Sequence, residues 1–192
     1  LDIAKITPSD AELIGIDIQP KLFPPPEILP ANITFQVGSI VELPEEWTNK
    51  FALVNQRLLV AALRYSEWNA AIKNMYRVLK PGGWVQLVEN IGWVNQAPML
   101  EIYTRLWQNM LKAKGIEGTW PKGADLWKKM VEDAGFVDIR VERYDTPVGK
   151  WAGADGEYVK NNIIGLLSGM KELVVQNDGF SVVAGGKEGY ER

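Results

Sequence analysis

A helical stretch halted by proline and glycine, then relaunched as an apolar strand, constrains this chain more than any other feature. Trp68, Ile72, Met75 or Tyr76, and Leu79 recur at helical spacing, which predicts an amphipathic helix with one buried face. Ser66 stands where an N-cap side chain would accept an orphan backbone N–H. Lys80 lies at the other end, where a cation favours the helix dipole. Pro81 cannot continue the helix, because it has no N–H and its ring collides with the preceding turn. Gly82 and Gly83 supply the turn, and residues 84–89 (WVQLVE) then read as a strand.

The rest of the chain repeats this alternation. Leu13–Asp17 (LIGID) is an apolar run ending in an acid and reads as a buried strand. Ile33–Val37 and residues 51–55 (FALVN) read as two more. Between the first two lie Pro20, Pro24, Pro25, Pro26 and Pro30, which exclude a regular helix and predict an extended packed segment. Residues 98–114 and 124–134 carry apolar side chains at helical spacing, and Gly135 ends the second of these helices. Residues 136–144 alternate as a strand would. Residues 156–175 read as a helix with Gly165 and Gly169 as weak points. Strands alternating with helices predict an α/β fold with a doubly wound, mostly parallel sheet, helices on both faces and a helical lid. In such sheets ligands bind beyond the carboxyl ends of the strands. That rule draws attention to Asp17, Gly38 and Ser39, the run from Asn55 to Arg57, and Glu89 and Asn90.

Composition removes several kinds of chemistry. The 192 residues contain no Cys and no His. Thiolate nucleophiles, disulfides, histidine bases and histidine or cysteine metal sites are therefore excluded. Net charge is -3 with no basic block, which argues against a nucleic-acid partner. No apolar run is long enough to span a bilayer. Together with the lack of cysteine, this fits a cytoplasmic setting. The 8 Trp read first as core and pocket wall.

With these elements in place, the chain resembles the class I S-adenosylmethionine (SAM)-dependent methyltransferases. Within them it is most similar to the fungal group associated with secondary metabolism. YRVLKPGGWVQLVE is the most specific segment, since a helix ending in LKPGG before a central strand is characteristic of that superfamily. ELIGIDIQP resembles the acidic-loop motif after the second family strand. FALVNQRLL resembles the fourth-strand motif, with Ala52 where an acid is usual. YDTPVGKWAG resembles the stretch after the sixth strand. The resemblance runs from about Asp10 to the end of the chain and implies a Rossmann-like fold, SAM as cofactor and a small-molecule methyl acceptor.

Two parts of the family pattern have no counterpart. The glycine-rich first loop is missing: either LDIA is a remnant of the first strand, or LDIAK lies in the first helix. Residues 187–192 read as a helix, before the last antiparallel strand of the family. The expectation is one domain over residues 1–192, incomplete at both places.

The resemblance assigns roles residue by residue. Asp17 would accept the ribose hydroxyls, with Ile18 and Gln19 flanking the adenosine. Gly38, Ser39 and Ile40 would meet the adenine, although Ser39 stands where the family often has an acid. Asn55 and Gln56 would contact the methionine portion, while Arg57 is equally readable as a structural anchor. Glu89 could act as a base on the acceptor, or serve only as a hydrogen-bonded structural acid. Asn90, Trp93, Trp120 and Trp151 would face the acceptor, whereas Tyr103 and Trp107 default to packing. Two other readings stay open at this point: a non-catalytic scaffold, and a methyltransferase fold turned to another reaction such as cyclisation.

Overall fold

The structure, a computed structural model, describes residues 2–116 and 123–182. These residues divide into two compact units between which the chain passes repeatedly. The first unit comprises Leu1–Arg57, Ser66–Val88 and Asp133–Phe136. It opens with a short helix α1 (Asp2–Ile6), so the described part of the LDIAK segment is helical and not a strand remnant.

Strands β1 (Leu13–Asp17) and β2 (Ile33–Val37) pair in parallel, with Asp17 opposite Val37. Gly15 lies under Phe35, and a Cβ there would fall 2.5 Å from the ring. The proline-rich connection forms two single 3-10 turns, Pro20–Leu22 and Pro26–Ile28, joined by extended residues. Proline supplies no N–H for a longer helix, so no regular helix forms, but the segment is only partly extended and is mostly exposed, not packed as expected. With Phe23 and Phe35 it lines an open apolar cleft of about 600 Å³.

Strand β3 (Phe51–Arg57) leads through a turn to helix α2 (Tyr65–Val78) and strand β4 (Leu79–Val88). The amphipathic spacing is realised: Trp68, Ala71, Ile72, Met75 and Val78 are buried, while Tyr76 is exposed. Burying each of the larger ones contributes about 1.5–3 kcal/mol. Helix α2 begins at Tyr65, so Ser66 is its second residue and not its cap. It ends when the carbonyls of Arg77 and Val78 accept the main-chain N–H groups of Asn49 and Lys50, at 3.0 and 2.9 Å.

The Lys80–Gly83 stretch is a bulge within β4. Phe51 pairs with Leu79 and Leu53 with Trp84, so four residues oppose Ala52 alone. Gly82 adopts a φ of 77°, and a Cβ on Gly83 would lie 2.9 Å from the carbonyl oxygen of Lys80. Both glycines are therefore required by the backbone.

The parallel strands expected from the sequence form, but as two two-stranded sheets, β1–β2 and β3–β4, and not as one continuous sheet. Among the described residues no strand hydrogen-bonds to both pairs. Their inner faces meet in a shared core, where Ile14, Ile16, Phe51 and Val54 pack on Leu43, Trp47 and Val78. The strand expected over residues 136–144 is absent, and the stretch has no regular secondary structure. Alternation yields a strand only where a neighbour takes up the backbone N–H groups, and no described strand does so. Val137 and Tyr144 stay exposed as a result.

The second unit holds α3 (Pro98–Ala113), most of α4 (Gly123–Asp133) and α5 (Gly153–Gln176). Its core is Tyr103, Trp107, Met110, Leu111 and Ile116, with Leu167, Met170 and Leu173 of α5 packed against it. Helix α5 runs unbroken through Gly165 and Gly169, because packing of this face outweighs the glycine penalty of about 1 kcal/mol each. Among the described residues no helix is long and apolar enough to cross a membrane. The helix expected over residues 187–192 lies outside the described residues.

Candidate functional site

In the first unit, Asp17 sits at the carboxyl end of β1, exposed, where the expected ribose contact requires it. Its Oδ1 accepts the Gln19 N–H at 2.8 Å, a local turn that fixes the carboxylate. Oδ2 has no hydrogen bond among the described residues, so one acceptor remains for a ligand. Ile18 is 65% exposed beside it. Gly38 donates its N–H to the Asp17 carbonyl at 3.0 Å, which brings the ends of β1 and β2 together. The space where a Gly38 Cβ would stand is open to 4 Å. An anchored carboxylate beside open space at a strand end fits a nucleoside ribose.

Ser39 Oγ accepts the Val41 N–H at 3.4 Å. Ile40 packs in part on the Leu43, Trp47 and Val78 core, which limits how much of it could cover an adenine. Asn55 donates through Nδ2 to Gln86 Oε1 across the strand pair. Gln56 points to the opposite face and is buried, so these neighbours cannot present both side chains to one ligand.

Arg77 was not singled out by sequence reasoning, yet it organises this region. Its Nη2 donates to the Leu43 carbonyl at 2.7 Å and to Asn74 Oδ1 at 3.0 Å. Its Nη1 donates to the Pro44 carbonyl at 3.1 Å and to Thr48 Oγ1 at 2.9 Å. Asn74 adds a bond to the Val41 carbonyl at 2.8 Å. Two polar residues on the last turns of α2 thus hold the loop that carries Ser39 and Ile40. The signal was present in the YRVLKPGG motif, as an arginine four residues before the proline.

In the second unit, Glu89 places Oε1 2.8 Å from the Leu59 N–H and Oε2 3.0 Å from the Val60 N–H. Asn90 Oδ1 accepts the Gly92 N–H at 3.0 Å. Trp93 meets Tyr103 edge-on at 6.0 Å, and Tyr103 stacks on Trp107 at 6.2 Å. The Trp93 indole N–H is buried without a hydrogen-bond partner among the described residues. Burial pushes the Tyr103 phenol up to about 12. Trp151 is 79% exposed and donates its N–H to the Val148 carbonyl at 2.9 Å. Trp120 lies outside the described residues. Among the described residues no group of three or more acidic, histidine or cysteine side chains could hold a metal.

A methyltransferase-domain family model matches residues 1–83. The N-methyltransferase verN of Clonostachys rogersoniana is 30% identical over 152 residues, covering 78% of this chain and 52% of that protein. The N-methyltransferase sirN of Leptosphaeria maculans is 33% identical over 151 residues, covering 75% of this chain and 50% of that protein. The chain thus carries a methyltransferase-domain match over residues 1–83 and is similar to class I SAM-dependent methyltransferases over most of its length.

The chain spans about half the length of the curated relatives that it matches. In fold it is similar to phosphoethanolamine N-methyltransferase 2 of Haemonchus contortus, solved with phosphomonomethylethanolamine and S-adenosylhomocysteine. That likeness has a TM-score of 0.54 at 18% identity and covers 99% of this chain and 39% of that chain. The architecture of the chain is thus α/β and Rossmann-like, and SAM is the cofactor of the methyltransferase family that it resembles. Neither a scaffold role nor a repurposed reaction is favoured by these relatives.

Proposed function

We propose that the protein carrying this chain transfers a methyl group from SAM to a nitrogen of a small, natural-product-like acceptor. The observation that carries the reading is the Asp17 carboxylate, held by one oxygen and open at the other, at a strand end beside Gly38. The methyltransferase-domain match and the N-methyltransferase names of several relatives support it. Ile18 and Gln19 would flank the nucleoside, Gly38, Ser39 and Ile40 would border the adenine, and the backbone carbonyls at Asn55 and Gln56 would approach the amino-acid portion. Asn90, Trp93, Trp120 and Trp151 are proposed for the acceptor side.

Bound SAM supplies an electrophilic methyl group on a sulfonium. In-line displacement at such a centre draws mainly on proximity and orientation, so the chain's own work is to bind, align and exclude water. A cytoplasmic setting accords with a chain that has no cysteine.

Calorimetric titration of S-adenosylhomocysteine into the intact protein tests the reading. Binding is expected, and Asp17→Asn should weaken it at least tenfold, about 1.4 kcal/mol. No binding to the unsubstituted protein, or equal binding to the variant, would refute it.

A further inference from the structure

Leu58 has a φ of 58°, a left-handed conformation that a leucine adopts only under constraint. The constraint lies immediately after it. The two carboxylate oxygens of Glu89 take the consecutive N–H groups of Leu59 and Val60. The Leu59 carbonyl then accepts from Ala62 at 2.9 Å and Leu63 at 3.0 Å, closing a compact turn. Val60 and Leu63 of that turn are buried. Ala61 packs on the aromatic cluster of Tyr103 and Trp107, as does Trp93. The Asn90–Gly92 bond carries the chain from Glu89 to Trp93 in a tight bend.

We infer that Glu89 is a positioning residue and not a proton acceptor: it sets the Leu59–Leu63 turn that backs the aromatic wall containing Trp93. This inference rests on the methyl-transfer reading only in naming that wall as the acceptor side. The geometry demands a carboxylate specifically. Two adjacent N–H donors need two acceptor atoms on one side chain. Glutamine offers one acceptor and one NH₂ group, which would face a second donor. Both carboxylate oxygens already hold backbone donors, so a proton taken by either would neutralise the charge that strengthens those bonds and loosen the turn.

The experiment compares Glu89→Gln and Glu89→Asp in the intact protein by amide hydrogen exchange, with the Trp93 indole resonance assigned through Trp93→Phe. Glu89→Gln should speed exchange at Leu59 and Val60 at least tenfold and move the Trp93 resonance. Glu89→Asp keeps both acceptors on a shorter stem, so it should retain more protection. S-adenosylhomocysteine affinity should stay within twofold in both variants. Unchanged exchange and an unmoved Trp93 signal in Glu89→Gln would overturn the inference. So would identical behaviour of the two variants, or a shared loss of S-adenosylhomocysteine binding. Failure of the methyl-transfer reading would show differently, as absence of that binding in the unsubstituted protein, while the exchange data still judged the role of Glu89.

Discussion

Replacing Arg77 with alanine removes a planar fork that ties the end of α2 to the Leu43–Thr48 loop. Four hydrogen bonds go, two of them to the part-buried carbonyls of Leu43 and Pro44. The four share one guanidinium, so their separate worths cannot be summed. Taking the two stranded carbonyls at about 1–1.5 kcal/mol each gives a loss of about 2–3 kcal/mol. Glu45 also lies 3.7 Å from Arg77, but its side chain is 91% exposed and the pair is screened by water. Arg77→Lys keeps the charge yet cannot span both carbonyls, and should cost about 1–2 kcal/mol. Urea unfolding followed by tryptophan fluorescence reads these losses as lowered midpoints at constant slope. The reasoning fails if Arg77→Ala costs under about 0.5 kcal/mol, the range of ordinary surface substitutions. It fails equally if Glu45→Ala, expected to be nearly silent, costs as much as Arg77→Ala.

Gly83→Ala should destabilise by about 1–3 kcal/mol, because the new Cβ meets main-chain oxygens of Lys80 and Ala52 that cannot step aside; the same unfolding assay checks it. Tyr103 gives a pH signature. Its phenol is raised from 10.0 to about 12, so between those values the native state keeps a proton that the unfolded chain has lost. Stability is therefore full below pH 10 and falls as pH rises towards 12, by about 2–3 kcal/mol in total. Tyr103→Phe should remove that part of the alkaline slope, as read by melting temperature against pH. Trp68→Ala should cost about 3–5 kcal/mol, since the ring is fully buried on α2; a midpoint shift under about 1 kcal/mol would contradict the packing described.

The core elements were legible because their signals are local. The LIGID run, Ile33–Val37 and the α2 periodicity are fixed by side-chain pattern, and each forms where the pattern places it. The LKPGG stretch was read as the helix stop, but the helix already ends at Val78 and Lys80–Gly83 form a bulge within β4, which depends on what Ala52 opposes across the strand pair. Residues 136–144 misled for the same reason: alternation describes a strand's faces and says nothing about whether a partner edge exists. At the candidate site, the strand-end position of Asp17 was legible from the apolar run before it, while its ribose role rests on the family resemblance as well. The Gln56 orientation follows from strand parity, since Asn55 and Gln56 are neighbours and must point apart. A hydrogen-bonded structural role for Glu89 was one of its two sequence readings, but its partners, like the role of Arg77, were hidden because each side chain reaches across about thirty residues to backbone atoms, which carry no sequence identity.

The central claim is that Asp17 at the end of β1 marks the nucleoside site of a SAM-dependent methyltransferase. A crystal structure of the intact protein with S-adenosylhomocysteine tests it most directly. The account predicts ribose hydroxyls within hydrogen-bond distance of the Asp17 carboxylate, with its Oδ2 newly engaged and Gly38 against the ligand. A nucleoside bound elsewhere, with Asp17 still bonded only to Gln19, would contradict it.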